Sequence, residues 1–441
     1  MKTILLFGAG RSATALIDYL LEHCESLGTQ LLIVDRDISS VAEKMQKHPF
    51  GAAKILDISD KDARQTLVGA AEVVVSMLPA RFHHIIAEDC LLFSKSLFTA
   101  SYLSKELKAM DEEAKAKGLL FLNEIGLDPG IDHMSAKQVI DDVHEKGGKF
   151  LSFKSFCGGL IAEESDDNPW NYKFTWNPRN VVLAGSSGVA QFLEKGQYKY
   201  LPYHQLYSRL QHLEIPNFGK FEAYPNRDSL SYRKPYNLEY LETIYRGTVR
   251  KTGYCKNWNA FVQLGMTDDT YQMKDSKGMT CRAFTNSFLP YGKQHTVEEK
   301  FQHYTGIEDL DRFEWLGLFS DEVLPRDTGT PAQILQAILE PKWALKEDDK
   351  DLIVMQHQFE YQLNGKTYLH KSSFGIEGKD AQITGMAMTV GYPIAMAVKL
   401  YLQGKLKRTG VHIPIHKTIY EPILEELKTK HIQFSEDITE L

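Results

Sequence analysis

Short apolar runs alternate with amphipathic segments through the first third of the chain. TILLF (Thr3 to Phe7), QLLIVD (Gln30 to Asp35), AAKILDIS (Ala52 to Ser59) and AEVVVSMLP (Ala71 to Pro79) are of strand type. RSATALIDYLLEHC, SSVAEKMQKH and ARQTLVGA, which lie between them, have helical spacing. KSLFTASYLS and GLLFLNEIGLDPGID each end a further strand. Strands and helices alternating at this spacing predict βαβ units and a parallel sheet, whose right-handed crossovers place all strand C-termini on one edge.

Beyond Asp132 the pattern changes. KFLSFKSFCGG, FEAYPNRDSL, LETIYRGTVR and the long run from Asp351 to Ile376 read as strands of a second domain. Asn364-Gly365, between two alternating runs, predicts a tight hairpin. HTVEEKFQHY to PAQILQAILE reads as a helical insert around 295–345, in the position of a lid. From Gly385 the chain returns to helix. The expectation is an α/β fold: a doubly wound, Rossmann-type parallel sheet over residues 1–132, an α+β substrate and dimerisation domain over 133–384, and a helical segment over 385–441 packing back on the first domain. The apolar stretch Gly385 to Leu402 contains Pro393, two glycines and Lys399, which suits a buried core helix better than a membrane span.

Bulk properties narrow the function. The chain has 441 residues and a formal charge of −7, with no long basic tract, which argues against nucleic acid as a partner. Cys24, Cys90, Cys157, Cys255 and Cys281 are dispersed, with no CxxC pair and no histidine at zinc spacing. No metal site is expected, and reduced thiols in a cytoplasmic protein are. The opening MKTILLFGAGRSA is interrupted by Gly8 and Arg11 and reads against a signal peptide.

The chemistry starts at the turn after the first strand, Gly8-x-Gly10-x-x-Ala13. Its first glycine permits the turn, its second clears the backbone for a pyrophosphate, and its third position needs only a small residue. Arg11 lies inside this turn. Asp35 ends the second strand, where an acid accepts from a ribose 2′-OH and favours NAD. Arg36 follows and suits a 2′-phosphate, which favours NADP. The ends of the fourth, fifth and sixth strands bring Ser76, then Thr99 to Tyr102, then the turn Leu127-Asp128-Pro129-Gly130 to the edge where ligands bind. Asp128 is the candidate for a ligand role there, and Asp132 for the N-cap of the following helix. Cys157, Trp170 and Trp176 read as packing residues. His133 and the pair His83-His84 are possible proton carriers.

NEIGLDPGIDH after a Rossmann half, then SFCGGL, NPWNYKFTWNPR, AYPNRDS and YRGTVR, resembles the glutamate-forming saccharopine dehydrogenases, or saccharopine reductases. The resemblance runs from the first strand to about Arg250 and more loosely beyond. It implies a nicotinamide-dependent homodimer that joins 2-aminoadipate semialdehyde to glutamate and reduces the imine to saccharopine, or runs in reverse. Carried over residue by residue, substrate contacts fall on Ser101, Tyr102, Asp128, Arg227, Thr248, Val249 and Arg250. Cofactor contacts fall on Gly8, Gly10, Arg11, Ser12, Asp35, Arg36, Asp57, Ile58, Ser76, Ala100, Ser101, Leu127, Asp128 and Pro129. Asp128 is the candidate catalytic group, its carboxylate supporting a charged substrate nitrogen. Arg227 and Arg250 are guanidinium forks for the substrate's carboxylates. Fungal members tend to end the second strand on an arginine with no acid and use NADP; here Asp35 precedes Arg36, so NADP and NAD both stay open. Two rivals remain: reduction of a related imine such as carboxynorspermidine, which would leave one of the two arginines without a carboxylate, and a non-catalytic nucleotide-binding protein.

Overall fold

A computed structural model describes residues 1–186 and 188–441. The chain divides into two compact units, one comprising Met1–Gly147 with Gln382–Phe434, the other Gly148–Ala381 with Ser435–Leu441. The first unit thus keeps the helix Ile131–Glu145, which the expected boundary at 132 assigns to the second domain.

Sixteen strands, β1 to β16 in chain order, form the sheets among the described residues. The first unit holds β1 (Lys2–Phe7), β2 (Thr29–Asp35), β3 (Gly51–Ile55), β4 (Val73–Ser76), β5 (Ser96–Phe98), β6 (Leu120–Leu122) and the late β15 (Gly410–His412). They form one sheet in the order β15-β6-β5-β4-β1-β2-β3, and every pairing is parallel. A parallel strand in the middle of such a sheet is covered on both faces, and Ile4 through Phe7 are accordingly fully buried. β15, which the sequence pattern did not suggest, extends the sheet beyond β6.

The helix Thr14–Leu27 follows the glycine turn and ends on Gly28, whose left-handed backbone closes it. The helix Gly385–Leu402 packs against it, and twelve of its eighteen residues are buried. The approach is close at Gly391, where a methyl group would stand 2.6 Å from the Leu16 backbone nitrogen. This helix has the length and apolarity of a membrane span, but here it is a core element.

The second unit is built on a mixed sheet in the order β10-β11-β12-β7-β13-β14-β16. These are Gln211–Ile215, Gly219–Pro225, Thr243–Lys251, Lys149–Ile161, Asp351–Leu363, Lys366–Glu377 and Ser435–Glu440, in that order. β8 (Ala190–Glu194) and β9 (Gln197–Leu201) form a hairpin paired to β12. The Asn364-Gly365 hairpin is present, with φ of 52° and 78°, the two positive values that such a turn needs. Two expectations are corrected. The C-terminal segment is not helical to its end: Ser435–Glu440 pairs antiparallel with β14. The helical insert is also wider than 295–345 and is not a lid. Helices run from Tyr254–Leu264 to Pro331–Lys342, and Phe301, Phe313, Ile338 and Trp343 belong to the same hydrophobic core as Phe156, Trp170 and Val249. Trp170 stacks on Phe261 and meets Phe313 and Trp343 edge-on, each at 5.5 Å between centroids.

Candidate active site

The glycine turn between β1 and the helix Thr14–Leu27 is shaped by two different demands. Gly8 has φ of +104°, and a methyl group there would stand 3.0 Å from the Met77 backbone, so the end of β4 holds it tightly. Gly10 has ordinary, extended backbone, and a methyl group there would meet nothing within 4 Å. Among the described residues no atom fills the space beside Gly10, which leaves the backbone open to the approach of a phosphate. Ala13 is buried, as the packing position requires. Arg11 and Ser12 lie in the short 3-10 turn Arg11–Ala13 that leads into the helix, and Arg11 is exposed.

Asp35 does more than end β2. Its Oδ2 accepts from the Ala9 N–H at 2.7 Å and its Oδ1 from the Asp37 N–H at 3.2 Å. The carboxylate thus braces the glycine turn from the neighbouring strand while keeping lone pairs for a ribose hydroxyl. Arg36 is exposed beside it. Asp57 is exposed too, and the Ser59 N–H at 2.9 Å holds its carboxyl below the usual range. Ile58 is buried and its carbonyl accepts from Arg64, so its side chain belongs to the core.

At the ends of β4 and β5 the histidine read as a possible proton carrier, His83, joins two assigned residues. The His83 ring lies between Ser76 Oγ, 2.9 Å from Nδ1, and Ser101 Oγ, 2.7 Å from Nε2. Burial lowers its pKa to about 4, so the ring is neutral near pH 7. Its position at the start of a helix offered no sequence signal for this contact, because Ser76 lies on β4 and Ser101 in the turn after β5.

The turn after β6 closes on itself. The Gly126 N–H donates to the Pro129 carbonyl at 3.0 Å and the Ile131 N–H to the Gly126 carbonyl at 2.8 Å, with the Asp128–Pro129 peptide cis. Ala100 lies against Gly126, where a methyl group would stand 2.9 Å from its Cβ, so the β5 and β6 turns are in contact. Asp128 is half-buried, with the Tyr102 hydroxyl 3.4 Å from its Oδ1. Leu127 and Pro129 are buried. Asp132 is not the N-cap. Gly130 holds that position, and Asp132, already inside the helix, reaches back to accept from the Gly130 N–H at 2.6 Å. Glu124 completes the support: Oε1 accepts from the Leu103 N–H at 2.9 Å, and Oε2 lies 2.7 Å from His133 Nε2. That places His133 as a buried brace.

The residues expected to grip carboxylates lie in the second unit. β12 alternates, so Thr248 and Arg250 share a face, while Val249 is fully buried on the other, against Gly158. Val249 can therefore offer a ligand only its backbone. Arg250 is 4% exposed, and the rings of Tyr172, Tyr224 and Tyr254 stand 5.2, 5.7 and 5.3 Å from its guanidinium carbon. One terminal nitrogen donates to the Val249 carbonyl at 2.8 Å, the other to the Tyr224 hydroxyl at 3.4 Å, and Nε has no acceptor. Among the described residues no carboxylate pairs with Arg250. A buried, unpaired cation costs several kcal/mol, and each ring face returns roughly 0.5–2 kcal/mol of that. A ligand carboxylate would supply the charge-assisted bonds that are missing. Arg227 is exposed in the loop after β11. The tyrosines of the cage come from three separate segments, and nothing in their spacing announced it. Cys157, Trp170 and Trp176 pack as the sequence predicts.

Comparison with known proteins agrees with this geometry. Residues 4–122 match the family described as the saccharopine dehydrogenase NADP binding domain, and residues 126–432 match the saccharopine dehydrogenase C-terminal domain. Saccharopine dehydrogenase [NADP(+), L-glutamate-forming] from Saccharomyces cerevisiae is 34% identical over 98% of this chain and 97% of its own. The protein of the same name from Pyricularia oryzae is 32% identical over 98% and 97%. The solved structure of the apo, L-Glu-forming saccharopine dehydrogenase from Saccharomyces cerevisiae matches over the whole of both chains at 32% identity with a TM-score of 0.90. With both halves matched and the fold shared from end to end, the chain belongs to the saccharopine dehydrogenase family.

Proposed function

We propose that the protein interconverts saccharopine with L-glutamate and 2-aminoadipate 6-semialdehyde, using NADP. Full-length similarity to the glutamate-forming enzymes supports the reaction, and the observation that carries the substrate chemistry is Arg250, a buried guanidinium caged by tyrosines and lacking a carboxylate of its own. The carboxynorspermidine reading gains no comparable support.

In the oxidative direction hydride leaves the lysyl-side carbon bonded to the secondary amine. The secondary ammonium first gives one proton to solvent, its freed lone pair forms the C=N bond as the hydride leaves, and the iminium nitrogen keeps its remaining N–H and positive charge. Water then adds to that carbon, the C–N bond breaks, and the nitrogen departs with glutamate. The bound nicotinamide supplies the hydride acceptor, and the Gly8–Ala13 turn fits its pyrophosphate. Asp128 holds negative charge where the nitrogen is cationic, Arg250 takes a substrate carboxylate, and exposed Arg227 takes another at smaller gain. Ser101 and Tyr102 complete the contacts. The reading extends to a cytoplasmic homodimer; the five cysteines are free and buried, which suits a reducing compartment. Light scattering of the purified protein tests the dimer.

The deciding experiment incubates the protein with saccharopine and NADP+, follows NADPH absorbance and identifies the products. Glutamate with the semialdehyde is expected. Lysine with 2-oxoglutarate would mean that hydride leaves the other carbon, and the assignment would fall.

A further inference from the structure

Ser101 is assigned to both substrate and cofactor, yet a serine hydroxyl on a half-buried turn rotates freely and aims at nothing unless a partner holds it. Here it does not rotate freely. Its Oγ is 2.7 Å from His83 Nε2, and Thr99 Oγ1 is a further 3.4 Å from the same nitrogen. Nδ1 of the ring is anchored 2.9 Å from Ser76 Oγ at the buried end of β4. Ser76 and His83 are themselves 0% and 3% exposed, so water does not compete for these contacts. The ring therefore ties the end of β4 to the turn after β5 and holds the hydroxyl of Ser101, the one residue of the group assigned to substrate as well as cofactor.

We infer that His83 is a positioning residue for the reaction, acting through Ser101: its imidazole orients the Ser101 hydroxyl toward substrate and cofactor. A neutral ring offers one donor and one acceptor nitrogen. Whichever nitrogen faces Ser101, it occupies one side of that hydroxyl and leaves the other to the ligand. Doubly protonated, the ring would force both serines to accept, and its burial works against that state. This inference rests on the placement of Ser101 at the substrate, and the test separates the two.

Asn and Gln place a side-chain amide where the imidazole has Nδ1 and Nε2, respectively. His83→Gln keeps a partner for Ser101 and gives up Ser76; His83→Asn does the reverse. Steady-state kinetics with saccharopine and NADP+ are measured for both, for Ser101→Ala and for the His83→Asn/Ser101→Ala double variant, together with melting temperatures. His83→Asn should lower kcat/KM about tenfold, the size of one net hydrogen bond. His83→Gln should stay within about threefold of wild type, and the double variant should be no worse than Ser101→Ala, because residues acting through one contact are non-additive. Equal losses in the Asn and Gln variants that track melting temperature would overturn the inference and leave a structural histidine. If Ser101→Ala is impaired while His83→Asn is unaffected, the inference alone falls. If Ser101→Ala has wild-type kinetics, the placement of Ser101 falls and the inference with it. Should His83→Asn fail to fold, His83→Gln decides: retained activity supports the inference, and activity lost at an unchanged melting temperature overturns it.

Discussion

Two glycine-bearing turns of the first unit differ in what their glycines are for. In the turn after β1, a methyl group at Gly10 would touch no protein atom. In the turn after β6, a methyl group at Gly130 would stand 2.0 Å from the Gly126 carbonyl oxygen, at a φ of +148° that side chains rarely adopt. The first turn leaves room outside the chain; the second has none inside it. On the proposed cofactor reading one glycine answers to a ligand and the other to its own backbone, so stability and function should separate between them. The second turn owes its rigidity to that crowding, and it carries Asp128 on a fixed frame.

The largest effect should come from breaking the closed turn. Gly130→Ala drives the new methyl group into the Gly126 backbone and should destabilise the protein by roughly 4 kcal/mol or more, in the range of severe single substitutions. Denaturant unfolding measures it, and a variant as stable as wild type would remove the distinction between the turns. Asp128→Asn keeps the shape of the same turn and removes only charge. Its melting temperature should hold while kcat with saccharopine falls about 10- to 150-fold, the range of a lost charge-assisted contact of about 1.5–3 kcal/mol. Unchanged kcat would make this segment a turn and nothing more.

The open turn should respond in the opposite sense. Gly10→Ala should shift stability by less than about 0.5 kcal/mol, as surface substitutions do. It should still weaken NADP+ binding about tenfold, because the added methyl occupies the approach of the pyrophosphate. Gly8→Ala sharpens the contrast within one turn: with φ of +104° and Met77 backbone 3.0 Å away, it should lose about 1–3 kcal/mol of stability as well. Isothermal titration with NADP+ alongside thermal unfolding separates the two readouts.

What could be read from the sequence follows the same division between local and distant causes. The apolar run of β1 and the Asn364-Gly365 hairpin declare themselves because burial on both faces and positive φ impose local residue choices. β15 could not be read: it is three residues long, and its partner at Leu120–Leu122 lies far back along the chain. The strand Ser435–Glu440 is exposed along its whole length, so no alternation marks it. The site residues were proposed from motifs, whereas the side chains packed around them had no such signal. His83 depends on Ser76 and Ser101, and the cage of Arg250 on Tyr172, Tyr224 and Tyr254, groupings that only the folded chain creates. Asp132 was misplaced by one local rule overriding another, because Gly130 had already turned the chain into the helix.

The smallest expected effect concerns Asp35, which serves the open turn from the next strand. A carboxylate at the end of β2 accepts from a ribose hydroxyl and repels a 2′-phosphate, so removing it should favour NADP over NAD. But this carboxylate also accepts the Ala9 N–H at 2.7 Å, and without it the glycine turn loses its brace. Asp35→Ala should therefore lower kcat/KM for both cofactors while raising the NADP-to-NAD ratio, by a factor of about two to ten, in keeping with one net hydrogen bond. Asp35→Asn keeps an oxygen for Ala9 and removes the charge, so it should restore much of the absolute activity while keeping the shifted ratio. Kinetics of the two variants with each cofactor separate brace from discriminator. A ratio that does not move in either variant would leave Asp35 as a brace alone and assign cofactor choice elsewhere, with exposed Arg36 as the nearest charge to test.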